Sequence, residues 1–219
     1  MKAILSWSSG KECAIVLYKI QQAAAINITG LLTTVTAEYD RVSMHGVRTC
    51  LVERQARSAG LPLIKVYIPK DCSHMQYDSI MKDQMLDLLG RGVSRVAFGD
   101  IFLEGVRKYR ERNLGRAGMK GLFPLWGRDT GELAREFIDL GFKAVVTCVD
   151  SSVLDGRFAG RLIDHEFLNE LPGTVDPCGE NGEFHSFVYD GPNFKERIPF
   201  SAGNTVLRNS LYFYDLIPA

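Results

Sequence analysis

The chain has 219 residues, 46% hydrophobic and 24% charged, with 26 Lys+Arg balanced by 26 Asp+Glu. This length and composition describe a globular protein able to bury a large core, and no apolar run of 18 residues offers a membrane span. Five cysteines, at 13, 50, 72, 148 and 178, are scattered without a Cys-x-x-Cys pair. That pattern argues for reduced thiols in a cytoplasmic protein and against a zinc ribbon or iron–sulfur site.

The chain opens with Ala3, Ile4 and Leu5, a short strand-like run that meets a small-residue turn, Ser8-Ser9-Gly10. Ala14, Ile15, Leu17, Tyr18 and Ile20 then recur at helix-face spacing. Strand, tight loop and helix in that order gather backbone N–H groups and the positive helix end on one point, an arrangement suited to phosphate. Ser6, Ser8 and Ser9 add hydroxyls, Gly10 permits close approach, and Lys11 adds a compact positive charge. An ordinary β-α turn has the same outline, and the loop is neither a Walker loop nor a dinucleotide fingerprint.

Residues 27–35 read as a second strand and 63–68 as a third. A helix lies between them, ending at Gly60. A helix over 73–89 leads to a fourth strand at 95–98, closed by Gly99-Asp100, and a basic helix follows. Alternation of this kind predicts a parallel sheet with right-handed crossovers. Loop 6–12, the polar segment 36–46 and the Gly99-Asp100 turn would then share the rim where such sheets bind ligands. Beyond it, 130–140 reads as a helix, 143–149 as a strand, 184–190 as a strand after a Gly-Glu-Asn-Gly-Glu turn, and 205–216 as one more strand. The boundary between the two parts is placed near Trp126, giving 1–125 and 126–219.

Residues 1–125 hold 18 Lys+Arg against 11 Asp+Glu, and residues 126–219 hold 8 against 15. A basic half suits a polyanion such as a nucleotide; an acidic half suits a cationic partner or docks on the basic half. Glu180 and Glu183 flank Asn181-Gly182, with His185 close behind; paired carboxylates in a turn can bind an ammonium group, hold a metal or share a proton. His45 with Arg48 fits an anion- or carboxylate-binding pair. Asp100, just past a strand end, fits a Mg2+ or ribose contact. The cluster from Arg107 to Lys120 is a solvated helix face or a surface for an acidic macromolecule. Phe123 and Trp126 read as core. Cys13, at a helix N-terminus, is the one thiol whose position favours thiolate.

Taken together these segments resemble the N-type ATP pyrophosphatases of the PP-loop superfamily (the adenine nucleotide alpha hydrolases). More closely, they resemble the ATP-binding domain family of diphthine–ammonia ligase (diphthamide synthase). The family loop Ser-Gly-Gly-Lys-Asp-Ser reads here Ser8-Ser9-Gly10-Lys11-Glu12-Cys13. Gly99-Asp100, Pro124-Leu125-Trp126-Gly127-Arg128 and the more specific Cys178-Gly179-Glu180-Asn181-Gly182-Glu183-Phe184 through Asp190-Gly191-Pro192 complete the match. The resemblance implies a Rossmann-like (HUP-type) α/β sheet followed by a smaller α+β substrate-binding part. It implies cleavage of ATP, with Mg2+, to AMP and pyrophosphate, adenylation of a carboxylate acceptor such as a modified protein side chain, and amidation by ammonia.

By the same resemblance Ser6, Ser8, Ser9, Gly10, Lys11, Glu12, Cys13, Gly99 and Asp100 would bind nucleotide, with Asp100 as a Mg2+ ligand. His45, Arg48, Glu180, Asn181, Gly182, Glu183 and His185 would bind substrate, and Lys11, Glu180 and Glu183 would be catalytic. Ser9 stands where the family has Gly, so that positive φ there would be less comfortable; Glu12 and Cys13 replace Asp and Ser. These departures leave room for a nucleotide-binding sensor with little catalysis. An RNA-modifying relative rests only on the basic cluster. The acceptor and any homo-oligomer stay open.

Overall fold

The computed structural model describes residues 1–219. Its first half runs β1 (Lys2–Ser6), α1 (Lys11–Ala23), β2 (Asn27–Thr36), β3 (Arg41–Val42), α2 (Thr49–Ser58), β4 (Leu63–Ile68), α3 (His74–Gly90), β5 (Arg95–Ala97), α4 (Glu104–Arg116) and β6 (Lys120–Leu122). The second half runs α5 (Thr130–Asp139), β7 (Lys143–Asp150), a 3-10 turn (Gly156–Phe158), α6 (His165–Glu170), β8 (Phe184–Asp190), β9 (Phe200–Arg208) and β10 (Leu211–Pro218).

The central strand β1 is apolar because it is covered on both faces: Ala3, Ile4 and Leu5 are all buried. It pairs in parallel with β2 on one side and β5 on the other, and β4 and β6 extend the sheet to the order β4-β2-β1-β5-β6. The short β3 runs antiparallel to the end of β2. The chain thus winds outward from β1 through β2 to β4, then returns to start the other way at β5. Strand order reverses between β1 and β5, so a crevice opens beyond their carboxyl ends.

Ile4, Leu32, Val66 and Val96 on one face of this sheet pack with Met85 and Leu88 of α3 and Leu114 of α4. The other face joins Leu5 and the α1 residues Ile15 and Leu17 to Phe137, Phe142, Phe184, Phe187 and Leu216 of the second half, in one cluster of 39 buried residues. Hydrophobic packing therefore runs across residue 125 without interruption. The second sheet is antiparallel, ordered β8-β7-β10-β9. Here the single strand expected over 205–216 proves to be a hairpin. Asn209 and Ser210 both take positive φ (49° and 65°), the twist that two-residue hairpin turns require.

Candidate active site

A cavity of about 550 Å3 occupies the crevice, within the range of small-ligand sites. Ser6, Trp7 and Ser8 at the end of β1, Thr33 and Thr34 of β2, and Phe98 after β5 form its floor, while α3 and α4 form a wall. Of the three polar loops expected to share a rim, loop 6–12 and segment 36–46 line the cavity, whereas the Gly99-Asp100 turn does not and packs behind it against Glu12 and Cys13.

The phosphate loop is held from behind. Ser9 sits at φ 75°, where a side chain is strained, and its buried hydroxyl finds no partner. The Ser9 carbonyl accepts N–H groups from Val188 (3.0 Å) and from the Gln55 side chain (3.1 Å). The Ser8 and Ser9 backbone N–H groups face the Cys13 sulfur. A Cβ at Gly10 would stand 3.2 Å from His45 Cε1 and 3.4 Å from the Ser186 carbonyl, so only glycine lets these elements meet without displacement.

Lys11 departs from expectation. Its ammonium does not project into the cavity. It is buried, donates to the Cys178 carbonyl, lies 2.6 Å from a Glu12 oxygen and sits 4.7 Å from the centre of the Phe184 ring. Burial draws its pKa down, but Glu12 more than offsets this and the net shift is upward. Lys11 and Glu12 thus tie the loop to the 178–184 turn of the second half. Cys13 also corrects the sequence reading: burial pushes its thiol up to about 12, and Sγ donates to the Gly10 carbonyl (3.0 Å). It is no thiolate.

Gly99 is fixed by close approach, since a Cβ there would fall 2.7 Å from Glu12 Cβ. Asp100 is engaged by Arg110, with Nε 2.7 Å and Nη2 3.2 Å from its oxygens. Arg110 in turn stacks on Phe98. Glu180 accepts the Ile101 N–H (2.8 Å), joining the acidic turn to the β5 loop. Burial, with Glu12 and Asp100 nearby, raises its carboxyl to about 7 against the Ile101 and Phe102 N–H groups, which favour ionisation.

Glu183 serves a different purpose from the one expected of it. One oxygen accepts from Asp176 N–H (3.0 Å) and Asn181 Nδ2 (2.9 Å), the other from Asn181 N–H (3.0 Å). Burial pushes its pKa up, but these donors prevail and hold it below the ordinary value. The side chains of Glu183 and Asn181, with Gly182 at φ 94°, therefore shape the turn.

His45 and Arg48 part company. Arg48 pairs with Asp215 (2.6 and 3.1 Å), which Arg41 also grips (2.9 Å). His45 instead stacks on His185, ring centroids 4.4 Å apart and planes 30° apart, and both line the cavity. The basic helix α4 is satisfied in part: Arg107 pairs with Glu111 and stacks on Phe123 and Trp126, and Lys108 pairs with Glu104, whereas Arg112 and Arg116 are exposed. Trp126, expected in the core, is only partly buried.

Sequence reading missed Gln55, Asp215 and the α3–α4 wall, where Tyr109 Oη and Asn113 Nδ2 (3.1 Å) donate to Asp78. The i,i+4 spacing of Tyr109 and Asn113 on a polar helix was the available signal. No group of three or more His, Cys, Asp or Glu side chains is placed to hold a metal ion. Asp100, the expected Mg2+ ligand, faces Arg110, and its Oδ2 is buried without a hydrogen-bond donor.

Residues 1–121 match the family model for the diphthamide synthase N-terminal domain and residues 129–216 the model for the C-terminal domain. Curated relatives named diphthine–ammonia ligase include that of Danio rerio, 30% identical over 72% of this chain and 68% of its own length. The Mus musculus relative is 28% identical over 73% and 61%, and that of Schizosaccharomyces pombe 26% over 79% and 31%. The chain therefore spans from about two thirds to less than a third of these relatives' lengths. A solved predicted subunit of tRNA methyltransferase from Methanocaldococcus jannaschii aligns with TM-score 0.44 and 15% identity, over 65% of this chain and 77% of that one, too slight a likeness to bear on function. With both domain models matched in order along its length, this chain belongs to the diphthamide synthase family.

Proposed function

We propose that the chain is an ATP-dependent amide-forming ligase of the diphthine–ammonia ligase kind. A substrate carboxylate oxygen attacks the α-phosphorus of ATP and pyrophosphate leaves. Ammonia then attacks the acyl carbon and AMP departs with the C–O electron pair. Residues 1–125 carry the nucleotide and residues 126–219 the acceptor. The acceptor class that suits the relatives' name is diphthine, and ATP enters as its Mg2+ complex. Five free cysteines suit the reducing cytoplasm, and no helix is long and apolar enough to cross a membrane.

The observation that carries this reading is the locking of the acidic turn onto the phosphate loop through Lys11 to Cys178, and onto the β5 loop through Ile101 to Glu180. Ser6 and Ser8, which line the cavity at the end of β1, are suited to meeting phosphate charge as it develops. Glu180, nearly half protonated around neutrality, is suited to taking the proton that ammonia sheds. Glu183 contributes by building the turn rather than by touching substrate. An RNA-modifying role loses part of its support, since Arg107 and Arg110 of α4 are paired with Glu111 and Asp100. A sensor role is separated by products.

The test is incubation with α-labelled ATP, Mg2+ and a diphthine-bearing acceptor, with and without ammonium. AMP and pyrophosphate in step with amide are expected, and Glu180→Gln with Glu183→Gln should abolish them. ADP as the main product overturns the reading.

A further inference from the structure

We propose that His45 and His185 form the subsite that receives the pyrophosphate leaving group, the pair taking up one proton as the triphosphate binds and returning it to the departing oxygen. The proposal rests on the ATP-cleaving reading above and goes beyond it, because it assigns a proton donor to the leaving group.

Geometry carries the argument. The two imidazoles come from opposite halves of the chain, one from the loop after β3 and one from β8, and stack 4.4 Å apart at the cavity wall. The pair adjoins the phosphate loop, since Gly10 has no room for a Cβ beyond 3.2 Å from His45 Cε1. Of the four ring nitrogens only His45 Nδ1 has a protein partner, the Ser186 carbonyl at 3.4 Å. That contact favours the proton on Nδ1 and leaves Nε2 as an open acceptor. The nitrogens of His185 are open as well.

Such a pair has no evident structural need for two imidazoles. Apolar rings would stack equally well, whereas here the ring nitrogens not engaged by Ser186 are left open at the cavity wall to meet a polar ligand. The surrounding charges explain why the pair is empty of protons without ligand. Burial, their mutual proximity and the Lys11 ammonium from α1 hold His45 well below its ordinary pKa, and burial with Lys11 holds His185 at about 4. Just before β8, Glu183 is spent on its turn. From α3 the cavity receives Asp78 and Lys82, and from α4 Arg110 and Arg116. A polyanion beside the rings reverses this field and favours imidazolium. Two rings so close share one proton rather than hold two.

The step balances. When the carboxylate attacks the α-phosphorus, the bond to the bridging oxygen breaks and its electron pair stays on pyrophosphate. The imidazolium N–H proton passes to that pyrophosphate, and the ring returns to neutral. No oxidant or further reactant is needed.

The chain has only four histidines, so ring resonances of the labelled full-length protein can be assigned with and without inorganic pyrophosphate or α,β-methylene-ATP. Two rings are expected to stay neutral well below the ordinary imidazole range in the free protein. Ligand should raise one apparent pKa by about two pH units or more. Calorimetry in two buffers of different ionisation enthalpy should show proton uptake approaching one per site below neutrality. His45→Gln and His185→Gln should each abolish that uptake and lower kcat by about 10²-fold, with smaller changes in KM for ATP. Ligand bound with unmoved ring resonances and no uptake overturns the proposal while leaving the ligase reading intact. So do variants that lower the melting temperature yet keep the wild-type pH profile, which make the stack structural. No nucleotide binding at all overturns the ligase reading and the proposal together.

Discussion

Val188 donates its backbone N–H to the Ser9 carbonyl at 3.0 Å, so strand β8 of the second half is hydrogen-bonded directly to the phosphate loop of the first. The two halves therefore cannot move apart without unpairing the loop. Lys11 repeats the link from the side of the helix, its N–H donating to Ser186 Oγ (3.2 Å) and its ammonium to Cys178. Nucleotide site and acidic turn are in this sense one construction.

Gln55 is the brace behind that junction. It is fully buried, accepts the Trp7 indole N–H (2.8 Å), and donates to the Ser9 (3.1 Å) and Val188 (2.6 Å) carbonyls. Gln55→Ala leaves the indole N–H unpartnered in the core, at a cost of about 2–4 kcal/mol once the cavity is included. A urea-unfolding midpoint should fall accordingly, and ATP affinity with it. A midpoint at the wild-type value contradicts the bracing role.

Glu183 tests whether the acidic turn is scaffold. Glu183→Gln puts an amide donor where a carboxylate oxygen now accepts, costing about 1.5–3 kcal/mol. The folded-state pKa is depressed, so the carboxylate's stabilisation is present above the unfolded value of 4.5 and lost as pH falls through the folded value. Thermal melts of the two proteins should differ most at pH 6–8 and converge toward pH 3. A constant difference across that range argues that the charge has no part in it.

Ser9 holds a left-handed conformation with its hydroxyl buried and unpartnered. Ser9→Gly removes both costs against some gain in unfolded-chain entropy, for a net stabilisation of about 1 kcal/mol. Equilibrium unfolding measures it. A destabilised variant would mean that the hydroxyl has a partner in solution.

Helix and strand periodicity made the parallel sheet legible, because covered strands such as Ala3–Leu5 and amphipathic helices such as α1 bury a fixed pattern. The hairpin of β9 and β10 was harder. Asn209-Ser210 lacks the glycine that usually marks such a turn, and the flanking residues read as one run. In the site, the loop and turn residues were found by their spacing, but their partners were not. Nothing local tells that Arg48 meets Asp215 or that His45 meets His185, since each pair is separated by well over a hundred residues. The helix position of Cys13 suggested a thiolate, and desolvation by the packed core overrode it.

Glu180 makes the opposite pH prediction from Glu183. Its carboxyl titrates at about 7 in the folded chain against 4.5 unfolded. Between those values the folded state keeps a proton that the unfolded state has lost, so stability falls as pH rises from about 4.5 to about 7 and levels beyond. Glu180→Gln keeps an oxygen to accept from Ile101 N–H and carries no charge, so this slope should flatten and the variant should be the more stable at pH 8. Activity should run the other way. If the ionised Glu180 takes the proton from ammonia, amide formation by the wild type rises through pH 7, and the variant loses about 10²-fold and that rise. Stability curves and rates measured on the same two proteins separate these effects, and a variant with an unchanged stability slope and an unchanged rate profile removes Glu180 from both roles.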